Sequence, residues 1–192
     1  MHDVLSCRYR FRFRKRKVVL VALVIRKVQD LLDDDAIERL GREAPGWSLE
    51  VESDGSLSMS PCHSDGGGRE VEAGVQLYTY AKIHGGKTFG SSTGFRMDDL
   101  SVRAPDASWM APEHIARLSS EQRTKYWRTC PDVVVEILSD SDSWLTLLRK
   151  LDMYIRNGAL FAVAIDPFER CVETRGEPPA GLQLDYESIM DA

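Results

Sequence analysis

Val133-Val134-Val135-Glu136-Ile137-Leu138 decides the fold. Five apolar residues surround a single carboxylate, and both sides of the two-residue alternation are apolar. Such a run predicts a strand covered on both faces inside a sheet. Pro131-Asp132 opens it, and the Ser/Asp-rich turn 139–143 closes it. A lone carboxylate at a covered position costs several kcal/mol unless a metal, a cation or a set of donors compensates it. Glu136 therefore needs a partner or a task.

The neighbouring elements follow from the same kind of reading. A helix is predicted over 143–157, ended by Gly158, with its core stripe at Trp144, Leu147, Leu148, Leu151, Tyr154 and Ile155. Lys150 lies at the edge of that stripe, four residues before Tyr154, where a long side chain can reach back over the sheet. Residues 160–165 form a further apolar strand, stopped by Asp166-Pro167, with 171–174 as a hairpin partner. Upstream, Asp33-Asp34-Asp35 offers an N-cap for a helix to about Arg42. Asp54-Gly55 sits between two alternating runs, 47–53 and 56–60, and predicts a hairpin. A helix over 69–84 is expected to bury Val71, Val75, Tyr78 and Ala81, and Gly85-Gly86 ends it. Short strands are expected near 87–90, 95–97 and 107–110, and short helical pieces at Pro112 and Ser119-Ser120. Helices interleaved with strands give an α/β class, a mixed β-sheet flanked by helices. The organisation read from this is a 1–27 extension, one domain over 28–175, and a loose tail over 176–192 that contains Pro178-Pro179.

At 192 residues the chain suits a single core. Its net charge of −5 conceals an asymmetry: residues 1–27 carry +8 and residues 28–192 carry −13. The body repels a polyanion on average, and the N-terminal arm attracts one. Within that arm, Arg8 to Arg14 alternates basic and aromatic residues, and Lys15-Arg16-Lys17 precedes the apolar run 18–25. That run is too short to span a bilayer, which takes about 20 apolar residues, and Arg26-Lys27 closes it without a small-residue cleavage site. It is read as an edge element, with a nucleic-acid-binding arm or a homodimer interface as alternatives. The four cysteines, Cys7, Cys62, Cys130 and Cys171, are scattered and form no C-x-x-C. They are expected as reduced thiols in a cytoplasmic protein with no disulfide framework. His2, His63, His84 and His114 show no metal-ligand spacing and are read as exposed or locally bonded.

The candidate chemistry gathers around Glu136. Asp106 follows Pro105 at the start of another predicted strand. If the two strands are neighbours, Asp106 and Glu136 can share one Mg²⁺, with the backbone carbonyl of Ile137 as a third ligand. Such an ion takes oxygen ligands at roughly 2.0–2.1 Å and keeps several waters. Lys150 would supply the cation that orients a water and offsets developing charge on a phosphodiester. Simpler readings stand beside these. Asp106 can be a turn residue after proline, Glu136 can pair with Arg103 or Arg128, and Lys150 can be a solvated helix lysine. Asp132 reads as a turn residue or a further polar group near the ion. Glu70 and Glu72 suit the macrodipole at a helix start, and either could add a carboxylate to the site.

Several strings, taken in order, resemble a known family. They are Ser91-Ser92-Thr93-Gly94-Phe95-Arg96, then Val102-Arg103-Ala104-Pro105-Asp106-Ala107-Ser108-Trp109, then Cys130-Pro131-Asp132-Val133-Val134-Val135-Glu136. The turn 139–143, Lys150, Asn157-Gly158 and Ile165-Asp166-Pro167 follow. No single string is specific, but the ordered set, from about Asp33 to Val172, resembles the Uma-type restriction-endonuclease family of the PD-(D/E)XK nuclease superfamily. The resemblance implies a restriction-endonuclease-like fold, a Mg²⁺ requirement (Mn²⁺ as a substitute) and hydrolysis of DNA phosphodiesters. It places the metal acids on Asp106 and Glu136, the catalytic lysine on Lys150 and, less securely, a helix acid on Glu72. The superfamily's commoner lysine position, two residues after the second acid, is Leu138 here, so the lysine has to come from the helix. The expected partners are DNA and a second copy of the chain, with no membrane. The alternative is a catalytically inactive nuclease-fold module that binds a protein or nucleic acid, because fold does not fix function.

Overall fold

A computed structural model describes residues 23–25, 33–61, 64–140 and 142–192. The decisive run forms β9 (Val133–Ile137), the middle strand of a five-stranded sheet. Its neighbours are β10 (Phe161–Asp166), parallel, and β7 (Ala107–Met110), antiparallel. The sheet ends in β4 (Lys87–Gly90) beside β7 and β11 (Cys171–Gly176) beside β10. The alternation in β9 is used on both sides, as its apolar pattern requires. Val133, Val135 and Ile137 meet the helices α2 (Ser64–His84) and α5 (Tyr186–Asp191). Val134 and Leu138 meet α4 (Trp144–Arg156), the crossover between the parallel strands β9 and β10. Ser143 caps α4 by accepting from the Thr146 N–H.

A second sheet packs the N-terminal half. Its order is β1 (Leu23–Ile25), β3 (Leu57–Pro61), β2 (Trp47–Val51), β6 (Val102–Arg103), β5 (Phe95–Arg96) and β8 (Trp127–Arg128). The hairpin β2–β3 turns at Asp54-Gly55, where Gly55 has φ +79° and the Asp54 carboxylate accepts from the Ser56 N–H. Helix α1 (Asp34–Glu43), capped by Asp33, covers one face through Ile37 against Val51, Leu57 and Val102. The fold is thus mixed α/β, but with two sheets in place of one. The chain crosses from the second sheet to the first between β6 and β7, over Ala104, Pro105 and Asp106. The remaining helix, α3 (Pro112–Arg117), begins on its proline as expected.

Several expectations are corrected. The tail is not loose: α5 packs on α2, and Leu182, Ile189 and Met190 are buried in the main core. Pro178-Pro179 bends a connection that is followed by a capped helix, with Asp185 accepting from the Ser188 N–H. Of the α2 stripe expected inside, Ala81 packs on the core and the other three residues are outside. Val71, Val75 and Tyr78 are 65%, 51% and 53% exposed, whereas Ala73, Leu77 and Tyr80 are buried. The helix carries apolar residues on two faces, and α5 and the sheet select the second one. At Ser119, reciprocal bonds with Gln122 form a capping turn, but no helix follows it, and Lys125 enters the left-handed region at φ +50°. Cys171 is disulfide-bonded, contrary to the all-thiol reading, because sequence spacing does not report which cysteines meet in space. Cys130 is a buried free thiol, and burial pushes it up to about 12.

Leu23–Ile25 pairs with β3 at the sheet edge, as an edge element should. The basic arm and the rest of the run 18–25, with the readings made for them, lie outside the described residues. Among the described residues no helix is long and apolar enough to cross a membrane.

The packing of α5 predicts that Ile189→Ala destabilises the protein by about 2–5 kcal/mol, the usual range for truncating a buried isoleucine. Urea denaturation measures this, and an unchanged midpoint would mean that the C-terminal helix is not part of the cooperative core.

Candidate active site

The antiparallel register of β7 on β9 places Ala107 opposite Val135, so the pairing extended by one residue sets Asp106 beside Glu136. The two acids belong to strands far apart in sequence, and the sheet brings them together. Asp106 sits where the chain enters β7 from the crossover, half-buried, and its Oδ2 accepts from the Ile137 N–H at 2.6 Å. Glu136 follows the β9 alternation onto the α4 side, with its side chain only 4% exposed. Opposite it in the parallel register stands Ala164, whose small side chain leaves room above the sheet. Tyr154 fills that side, and its hydroxyl donates to Glu136 Oε1 at 2.6 Å.

Lys150 lies one helical turn before Tyr154, so both project from the same face of α4. Its Nζ is 3.5 Å from Glu136 Oε2 and 2.9 Å from Glu50 Oε2. Lys150 is therefore not a solvated lysine. Nor do the two arginines considered as structural partners reach Glu136. Arg103 pairs with Glu50 at 3.2 Å and with Glu52 at 2.8 Å, and Arg128 stands 3.5 Å from Asp34.

The charges explain the protonation tendencies. Burial pushes Asp106 well above the usual carboxylate range. The charge of Glu136 adds to this, the Ile137 N–H opposes it, Glu70 adds a little more and Lys150 opposes. Burial likewise raises Glu136, against the pull of Lys150 and with the push of Glu50. Burial works to raise Glu50 too, but there Lys150 and Arg103 outweigh it and the carboxyl is held low. Lys150 is raised: burial would lower it, and the charges of Glu136 and Glu50 more than offset that. The result is a cation that stays charged beside acids that resist losing their protons together.

Of the two helix acids, the structure brings Glu70 to the site and turns Glu72 away. Residues two apart on a helix lie about 200° apart around its axis. Glu70 accepts from the Ser91 hydroxyl at 2.7 Å and, with Asp106, lines a shallow cavity of about 330 Å³ walled by Val71, Val75 and Tyr78. Glu72 Oε1 accepts from Gln76 at 2.9 Å and from Ser188 at 3.2 Å, on the side of α5. Asp132 is also away from the acids. It accepts from the Ala111 N–H at 2.7 Å and faces His114 Nδ1 at 2.9 Å, fixing the start of α3. His114 is thus locally bonded, as read from sequence.

Glu50 was not visible as a site residue. Leu49-Glu50-Val51-Glu52 alternates like an ordinary hairpin with a solvated face, and nothing in it says that α4 covers the acidic side. Tyr154 was legible only as a member of the helix core stripe.

The donor set fits a hard divalent cation. Two mutually repelling carboxylates, both pushed toward protonation, would be relieved by a positive ion between them. Among the described residues no group of three or more His, Cys, Asp or Glu forms a metal cage, so such an ion would rely on two carboxylates, a carbonyl and water.

Comparison with known proteins identifies the fold and the family. A solved structure from Anabaena variabilis, described as "a putative nuclease belonging to DUF820", matches with a TM-score of 0.59 and 16% sequence identity. The match covers 75% of this chain and 90% of that one, and it shows that the two chains share a fold. The model of the Uma2 family, described as "Putative restriction endonuclease", matches residues 24–187. The chain therefore belongs to the Uma2 family. No curated protein matches it.

The raised carboxyl of Asp106 has a sign that can be tested. A carboxyl raised on folding gives stability that is full below its unfolded value, near 3.8, and is lost as pH rises through its folded value. Asp106→Asn keeps an acceptor for the Ile137 N–H and removes the charge. In metal-free buffer near neutral pH it should raise the urea midpoint and flatten the pH dependence between acidic and neutral pH. A lower midpoint for the variant at neutral pH would contradict the assigned electrostatics.

Proposed function

We propose that this protein is a Mg²⁺-dependent endonuclease that hydrolyses DNA phosphodiesters, with Mn²⁺ as a substitute metal. The observation that supports the proposal is that Asp106 accepts from the N–H of Ile137, the residue after Glu136, while Lys150 stands 3.5 Å from Glu136. Family membership supports the same reading. Asp106 and Glu136, with the carbonyl of Ile137, would hold the ion, and Glu70 is placed to add a carboxylate at its outer side. When bound, the metal supplies Lewis-acid polarisation of the scissile phosphate.

The chain's own groups do the rest. The Asp106 and Glu136 carboxylates give up their protons and provide oxygen ligands. Lys150 keeps its charge in this setting, so its part is to hold the attacking water by hydrogen bonding and to offset charge developing on the phosphate, not to remove a proton. The water oxygen attacks phosphorus in line with the leaving oxygen, whose P–O bond breaks, and the proton that the water loses passes to solvent, which returns one to the leaving oxygen. Tyr154 fixes Glu136 through its hydroxyl.

Charge favours a restrained form of this activity. The body is acidic, so binding depends on the metal and on local contacts more than on a general basic surface. A second copy would serve the two strands of a duplex by two-fold symmetry. A cytoplasmic location accords with a DNA substrate.

The test is cleavage of plasmid, linear and single-stranded DNA, with RNA alongside, in Mg²⁺ or Mn²⁺. Asp106→Ala, Glu136→Ala and Lys150→Ala should each lower the rate by about 10²-fold or more. Equal activity in wild type and both acid variants would reject the assignment. A second readout is the thermal shift on adding Mg²⁺. It should be present in wild type and absent in Glu136→Gln, and its absence from wild type together with no cleavage would favour the inactive binding module.

A further inference from the structure

We propose that Glu50, on the N-terminal hairpin, is the positioning residue that holds the Lys150 ammonium away from Glu136 and pins the crossover presenting Asp106. The inference rests on the nuclease reading and extends it to a residue outside the three site groups.

Three contacts carry it. Glu50 Oε2 lies 2.9 Å from Lys150 Nζ, closer than the 3.5 Å from that nitrogen to Glu136 Oε2. The same oxygen is 3.2 Å from an Arg103 guanidinium nitrogen. Glu50 Oε1 accepts from the Ala104 N–H at 3.3 Å, two residues before Asp106. One carboxylate thus touches the lysine, the strand end and the link between the two sheets. It is itself 12% exposed, so these contacts are shielded from solvent. Arg103 stands beside it, 6% exposed, with its other guanidinium contacts on Glu52, so the cluster is braced from behind.

The placement follows from the fold. Val51 and Val102 point into the α1 side of the second sheet. Glu50 and Arg103, one residue removed in each strand, therefore face the other way, toward α4. Lys150 has two acids to choose between. Were Glu50 absent, the ammonium would be drawn fully onto Glu136, neutralising a carboxylate that the proposed function needs as a ligand. With Glu50 present, the amine is shared, and Glu136 keeps an oxygen for the cation.

Two measurements decide the matter. In metal-free protein, reductive methylation of Lys150 is followed by mass spectrometry in wild type, Glu50→Gln and Glu50→Asp. Loss of the tighter carboxylate partner should speed labelling of Lys150 severalfold in Glu50→Gln, with a smaller change in Glu50→Asp, in proteins whose melting temperatures show them folded. Unchanged labelling in folded Glu50→Gln overturns the proposal.

In cleavage assays at saturating Mg²⁺, Glu50→Gln should lower kcat by roughly tenfold or more with little change in KM for DNA, and Glu50→Asp should recover part of it. In Lys150→Ala the same substitution should add no further loss, because both changes disable one unit. Full additivity, or a loss seen at low Mg²⁺ that saturating Mg²⁺ repairs, overturns it, the latter by making Glu50 a metal ligand. If wild type cleaves nothing, the nuclease reading fails by itself, and the labelling result still says whether Glu50 holds Lys150.

Discussion

A carboxylate in the middle of a strand covered on both faces is the constraint around which this structure is built. Glu136 sits on β9 with apolar residues before and after it, and helices cover both sides of its sheet. An uncompensated charge there would cost more than the strand's packing could offset. The compensation comes from three directions: a tyrosine and a lysine from α4, and, through the lysine, a glutamate from the second sheet. The position of α4, the contact between the sheets and the register of β7 all meet at this one side chain.

That convergence explains the mixture of tendencies at the site. The acids are too many for the cations near them, so Asp106 and Glu136 are both pushed toward the protonated state while Lys150 remains charged. A surplus of buried negative charge beside a fixed ammonium is poorly suited to a purely structural cluster. It suits a site completed by a positive ion, as the proposed function has it.

Much of this was readable from the chain. The continuous apolar run 133–138, the capped helix after it and the Asp54-Gly55 turn each fix their element through local chemistry, and all three formed as expected. Glu136 stands out against apolar neighbours and Lys150 lies at a helix edge, and these two meet at 3.5 Å; the roles assigned to them and to Asp106 come from the family resemblance. What was not legible depended on tertiary choice. Helix α2 offers apolar residues on two sides, and only its docking on the sheet and α5 shows that Leu77 and Tyr80 go inward while Val75 and Tyr78 stay out. The resemblance puts the helix acid, less securely, on Glu72, whereas the acid that lines the cavity with Asp106 is Glu70, and Glu72 accepts from Ser188 on the α5 side. Glu50 was invisible because its role is set by a helix a hundred residues later in the chain.

The docking of α5 on α2 bears on how the protein is made. Gln76 bonds the backbone of Asp185, and Arg69 donates to the Met190 carbonyl 121 residues onward. During synthesis the N-terminal parts of a chain emerge and begin folding first. Helix α2 must then wait, with part of its buried face uncovered although Tyr80 can already meet Trp109, until residues 182–190 have been translated. Contacts of such long sequence separation slow folding and leave sticky surface open to chaperones in the interval. A nascent chain of this protein cannot close the wall beside Asp106 until nearly all of the sequence described here has been read.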